Sequence, residues 1–218
     1  MKKHKRLAYN TKQVNMESVN FSEVEKSIKF IDEPSFADHG EIDDDNVQIF
    51  TPSDIVTGML KTIGFNNVDD YSQTVLEPSS GDGAFTGIIL ERRLKKALKD
   101  KEHFPALALR GLSTIYSIEM DKDLIEKQRN NIYTILVLFC KKAQYVPTDQ
   151  FDLLARAIIA RNFIWGMTNV NFPLSLIMPD VVYKMPEAED NNYISEKFPV
   201  WDIHDDLSYS VVYEDPEL

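Results

Sequence analysis

Thr74-Val75-Leu76-Glu77-Pro78-Ser79-Ser80-Gly81-Asp82-Gly83-Ala84-Phe85 is the stretch on which the fold turns. Its first four residues read as a strand, stopped by a proline and a glycine-rich loop. From Ala84 to about Lys101 the apolar residues Phe85, Ile88, Ile89, Leu94 and Leu98 recur at helical spacing. Arg92, Arg93, Lys95, Lys96 and Lys99 fall largely on the other sides of that helix. The unit is therefore strand, glycine loop, helix. Working outward, Ser113–Glu119 reads as the next strand. Asp121 is placed to cap a helix from Lys122 toward Lys142, with Leu124, Ile125, Ile132, Ile135, Leu136 and Phe139 inward. A helix from Thr148 to Ala160 then leads into a short third strand, Asn162–Gly166. Alternating strands and helices predict an α/β fold with a mostly parallel sheet covered on both faces.

Upstream, Thr51-Pro52-Ser53 starts a helix in which Ile55, Val56, Met59, Leu60 and Ile63 follow at helical spacing to Gly64. Residues 1–45 read as an N-terminal arm and linker. Within the arm, Val19, Phe21, Val24, Ile28, Phe30 and Ile31 are spaced for one short amphipathic helix against the body. Residues 46–172 form the main domain. Residues 173–218 read as an acidic, irregular tail broken by prolines, with Asp180–Tyr183 and Ser210–Tyr213 as its only strand-like runs.

The chain has 218 residues, 43% apolar and 27% charged, which excludes a disordered or collagen-like chain. Its longest nearly uncharged apolar run, Ile132–Cys140, is far too short to cross a bilayer. The basic start Met-Lys-Lys-His-Lys-Arg is followed by no apolar segment of a signal peptide, so a cytoplasmic location is expected. The lone cysteine, Cys140, reads as a small buried hydrophobe, and the four histidines lack metal-ligand spacing. Net charge is −11; Pro179–Leu218 holds eleven acidic residues against two lysines, a balance of −9. Such a chain has no broad basic face for gripping nucleic acid unaided.

The loop after the first strand lies where open α/β sheets bind ligands, in the crevice at the carboxyl ends of the strands. Gly81 and Gly83 can take backbone angles closed to other residues and let a ligand approach the main chain. Glu77, at the strand tip, suits a cationic group better than a phosphate, which argues against dinucleotide binding and hence a nucleotide-dependent oxidoreductase. An ordinary βα turn holding two glycines is the plain alternative. Glu119, ending the next strand, is placed to accept both hydroxyls of a ribose.

Together these residues resemble the S-adenosylmethionine-binding part of class I methyltransferases, and specifically the adenine-N6 DNA methyltransferases of restriction-modification systems. The resemblance runs over about Asn46–Asn169. Gln48-Ile49-Phe50-Thr51-Pro52 resembles the family's F-x-P element, Glu77–Phe85 its glycine loop, and Glu119 its ribose carboxylate. It implies a Rossmann-like, doubly wound and here incomplete sheet, with S-adenosyl-L-methionine as cofactor. Phe50, Thr51, Pro52, Glu77, Pro78, Ser79, Gly81, Gly83, Ala84, Phe85, Glu119, Met120 and Met167 would line its site. Glu77 would face the methionine ammonium.

Two departures stand out. Met167 occupies the place of the family's adenine-side Asp, for which Asn162 or Asn169 would substitute; a thioether packs on a purine but accepts no strong hydrogen bond. The catalytic Asn/Asp-Pro-Pro-aromatic element is missing: Met178-Pro179-Asp180 and Glu214-Asp215-Pro216 do not match it, although Tyr193–Asp202 resembles the stretch that precedes it. Catalytic residues are therefore unassigned. Activity on DNA would need a second polypeptide supplying the catalytic strand and the recognition surface. The alternative is a catalytically inactive methyltransferase-like binding module or remnant.

Overall fold

The computed structural model describes residues 21–36, 51–62, 71, 73–168, 180–184, 194–197 and 199–212. The expectations placed on Gln48–Phe50, Ile63–Gly64, Asn169, Met178–Pro179 and Glu214–Asp215-Pro216 lie outside these residues. The described elements are α1 (Phe21–Ser27), α2 (Ser53–Thr62), β1 (Val75–Glu77), α3 (Ala84–Ala97), α4 (Phe104–Ser113), β2 (Ile115–Glu119), α5 (Lys122–Ala143), α6 (Asp149–Asn162) and β3 (Phe163–Trp165). They continue with β4 (Met167–Thr168), β5 (Asp180–Lys184), β6 (Ile194–Lys197), β7 (Val200–Ile203) and β8 (Tyr209–Val212). The chain is thus α/β, and β1-β2-β3 form a three-stranded parallel sheet in that order.

Register sorts the sheet residues onto two faces. Val75, Ile115 and Phe163 pack with buried residues of α2–α6, whereas Tyr116, Ile118 and Ile164 form a separate small cluster that no described helix joins. Sheet order explains the difference from the expectation of helices on both faces. Each strand adds on the same side as the last, so right-handed crossovers stack every helix on one face. The second helical layer of a doubly wound sheet is not seen among the described residues.

Helix boundaries follow local chemistry. Asp121 caps α5, its carboxylate accepting from Asp123 N–H at 2.8 Å and Leu124 N–H at 3.0 Å. Gln144, at φ 60°, ends the helix, with Tyr145 N–H returning to Cys140 O at 2.9 Å. Asp121→Ala is expected to cost about 1 kcal/mol of stability in urea unfolding, the usual worth of such a cap. Thr148 caps α6 through Phe151 N–H at 3.2 Å. On α2, Val56 and Leu60 are buried, but Ile55 and Met59 face solvent.

Two readings of the third helix are corrected. It ends at Ala97 rather than Lys101, and a separate helix, α4, follows it. Arg93 lies on the inner side, fully buried, not on the basic outer side. Its guanidinium donates to Gln73 O at 2.6 Å, to Gly111 O at 3.0 Å and to the Thr114 hydroxyl, joining the N-terminal ends of β1 and β2. Cys140 is buried as expected, and burial pushes its thiol up to about 12.

Nor is the tail irregular throughout. β5 pairs antiparallel with β4 and β6, and β7 with β8. In the hairpin, alternation turns Trp201 and Ile203 inward; Ile203 and Leu207 join the main core. Tyr116 Oη donates to Pro199 O at 2.8 Å, and Arg110 Nε to Ile203 O at 2.7 Å. No described helix is long and apolar enough to cross a membrane.

The arm residues 21–36 lie along α5 and α6. Arg161 pairs with Glu25 at 2.6 Å, and Arg156 donates to Ile28 O. Past α1 the backbone donors Lys29, Ile31 and Ser35 reach Asn130 Oδ1 (2.7 Å), Thr134 Oγ1 (3.0 Å) and Asn131 Oδ1 (2.9 Å). Side chains of one helix thus satisfy amides that a strand would pair with a neighbouring backbone.

Candidate functional site at the carboxyl ends of the strands

Glu77, Glu119 and Trp165 end three parallel strands at the same edge of the sheet. The loop after β1 turns back over this edge. Ser80 N–H donates to Ile118 O at 3.1 Å, and Gly83 N–H to Ser80 O at 3.0 Å. Gly81 and Gly83 have φ of 55° and 93°, the left-handed region, so the turn requires both glycines. At Gly83 space is a second constraint: a Cβ would sit 2.6 Å from Gln128 Cγ.

The carboxylate of Glu119 is buried and braces the loop. Its Oε2 accepts from Gly81 N–H at 2.7 Å and its Oε1 from Asp121 N–H at 2.9 Å. Each oxygen keeps one further lone pair, so a hydroxyl could be accepted without breaking either bond. Trp165 Nε1 donates to Met120 O at 3.0 Å, Gly166 N–H to Glu119 O at 2.8 Å, and the Lys122 ammonium lies 5.4 Å from the Trp165 ring centre. Met120 itself is 58% exposed on this rim.

Glu77 differs from Glu119 in its surroundings. Burial pushes its carboxyl up to about 7, and the Ser79 N–H only partly offsets this. No described cation pairs with it. A desolvated carboxylate at the tip of a strand is chemically matched to a cation that arrives with a ligand.

Of the residues singled out in the sequence, Glu77, Pro78, Ser79, Gly81, Gly83, Glu119 and Met120 converge on this edge. Ala84 and Phe85 open α3 and pack against the hydrophobic core. Thr51 and Pro52 precede α2, with Val56 N–H bonded to Pro52 O at 2.8 Å; Phe50 is outside the described residues. Met167 begins β4, immediately beyond Gly166. Asn162 does not replace the absent Asp. It lies at the opposite end of β3, fully buried, with Nδ2 donating to Ser113 O (2.9 Å) and Ile115 O (3.1 Å) and Oδ1 accepting from Trp201 Nε1 (2.9 Å).

The sequence reading missed Gln128 and Asn131 of α5. The Ser80 and Ser117 hydroxyls donate to Gln128 Oε1 at 2.8 and 3.2 Å, and its Nε2 donates to Thr86 Oγ1 at 2.9 Å. One buried amide therefore ties loop, strand and helix together. The available signal was a polar residue in the inward slot between Ile125 and Ile132. Lys127 pairs with the buried Asp82 carboxylate at 3.3 Å. Among the described residues no group of His, Cys, Asp or Glu could hold a metal.

Comparison with protein families, with characterised proteins and with solved structures found no match to the chain. The functional reading therefore rests on the residues themselves.

Proposed function

We propose that the chain is the cofactor-holding part of an S-adenosylmethionine-dependent adenine DNA methyltransferase, working with a second polypeptide. The observation that carries this reading is Glu77, a desolvated carboxylate without a described cation, beside two left-handed glycines. A methionine ammonium would complete it, while Glu119 and the loop amides hold the neighbouring backbone in place. The Rossmann-like, only partly assembled sheet belongs to the same reading, for β1 pairs with β2 alone among the described strands. No described strand covers its other edge, where the added strand would pair. S-adenosylmethionine when bound supplies the activated methyl group; the residues here bind and orient. The absent catalytic motif favours a second reading, an inactive cofactor-binding module, and a methyl-transfer assay on DNA with and without candidate partner chains separates the two.

The test of the site is calorimetric titration with S-adenosylmethionine against pH. Between 4.5 and about 7 the folded chain holds a proton on Glu77 that the unfolded chain has released, so this group makes stability fall as pH rises through that window. A bound ammonium favours the ionised form. Affinity should thus climb by up to about tenfold per unit as pH rises toward 7, with proton release, and decline near 8 as the ligand's amino group deprotonates. Glu77→Gln should weaken binding and flatten the acidic limb. A pH-independent affinity, or full binding by Glu77→Gln, would remove Glu77 from the site. Glu119→Ala is the poorer probe, since it also frees two loop amides.

A further inference from the structure

Asn131 holds two segments that are otherwise far apart in sequence. Its Oδ1 accepts from Ser35 N–H at 2.9 Å; its Nδ2 donates to Ser35 O at 2.8 Å and to Asp82 O, in the glycine loop, at 3.2 Å. Donor on one side and acceptors on the other fix the orientation of the amide. The side chain is fully buried, where a lost partner is costly. One residue further on, the Phe36 ring closes over Gly87, and a Cβ there would meet Phe36 Cζ at 2.8 Å. Gly87 N–H in turn donates to Gly83 O at 2.8 Å. The end of the arm therefore touches the glycine loop through one amide and touches its helix through one ring. Farther from the loop, Asn130 and Thr134 of α5 receive the Lys29 and Ile31 amides.

We propose that residues 28–36 form a strap whose docking sets the shape of the glycine loop through Asn131, which makes Asn131 a positioning residue for the loop's ligand. The identity of that ligand rests on the function proposed above; the coupling of strap to loop does not. A ligand that orders the loop tightens the strap, and a loosened strap weakens the ligand by the same factor, because coupling between two sites is reciprocal.

The test uses amide exchange in the full chain, read at Gly81 and Gly83, with His204 and Leu207 of the hairpin as references. Asn130→Ala with Thr134→Val removes two strap acceptors without touching the loop. This pair should speed exchange at Gly81 and Gly83 by about five- to tenfold, the effect of about one hydrogen bond, and leave the hairpin unchanged. In an Asn131→Ala background the loop should already exchange fast, and the pair should add nothing. Unchanged loop exchange, an effect that persists without Asn131, or an equal rise in the hairpin would each overturn the proposal. S-adenosylmethionine titration forms the second arm. A wild-type chain that binds should lose affinity in the pair variant by the factor seen in exchange, and equal affinity would overturn the positioning role. A wild-type chain that does not bind refutes the proposed function instead, while the exchange result still decides the coupling.

Discussion

Replacing Arg93 with Met should lower stability by about 3–5 kcal/mol and the melting temperature by roughly 10 °C or more. The guanidinium reaches Gln73 O, Gly111 O and the Thr114 hydroxyl from a position with no exposed surface. Methionine fills much of the volume but offers no donor, so the buried Gly111 O and the half-buried Gln73 O and Thr114 hydroxyl each lose a charged donor. Hydrogen bonds from a charged donor are each worth about 1.5–3 kcal/mol, and unsatisfied buried acceptors add their own cost. Arg93→Lys should recover only part of the loss, because one ammonium on a flexible stem does not match the planar fork. Urea unfolding measures this directly: the midpoint should fall with little change in slope. A Met variant within about 1 kcal/mol of the parent would mean that Arg93 is not the strut described.

The same residue marks the limit of what the sequence made legible. Strand, glycine loop and helix are local signals, and their order is legible because period and punctuation agree, whereas the helix end at Ala97 and the inward side of Arg93 are not. The cap at Asp121 is legible too. Arg93 reads as solvent-facing because a charged residue among lysines usually is, and only the carbonyls of two other segments show otherwise. Phe104–Ser113 is not legible as a helix because it is only ten residues long and holds both Pro105 and Gly111, which punctuate like a loop. Of the β7–β8 hairpin the sequence marks β8, read as Ser210–Tyr213, but not β7, although alternation at Trp201 and Ile203 is present. At the site, the strand-tip carboxylates could be placed from sequence. That Glu119 braces Gly81, and that Gln128 ties the loop to β2 and α3, depends on side chains brought together only by the fold.

The two edges of the sheet are held by different means, and this separates stability from binding in experiment. Arg93 and Asn162 join the strands at their N-terminal ends through buried donors to backbone carbonyls, whereas Glu119, Ser80 and Gln128 hold the carboxyl-end edge through the glycine loop. Damage to the first edge should appear chiefly as lost stability. Damage to the second should spare the fold and spoil the loop.

Gly83→Ala is the sharpest case of the latter. The left-handed angle alone costs an alanine about 1–2 kcal/mol, and the new methyl would press on Gln128 Cγ at 2.6 Å and on Thr86 Oγ1 at 3.0 Å. Pushing Gln128 aside strains its contacts with Ser80, Ser117 and Thr86. The loop has the cheaper escape: it can rotate off the strand tips and give up the Gly81–Glu119 bond. We expect a loss of about 2–4 kcal/mol in stability, a far-ultraviolet circular dichroism spectrum like the parent's, and S-adenosylmethionine affinity reduced at least a hundredfold. Gly58→Ala on α2 is the matched control, for its added methyl meets nothing within 4 Å and should leave binding intact. If the Gly83 variant bound as the parent does, the glycine loop would be an ordinary strand-to-helix turn, and Glu77 would have to find its cation elsewhere.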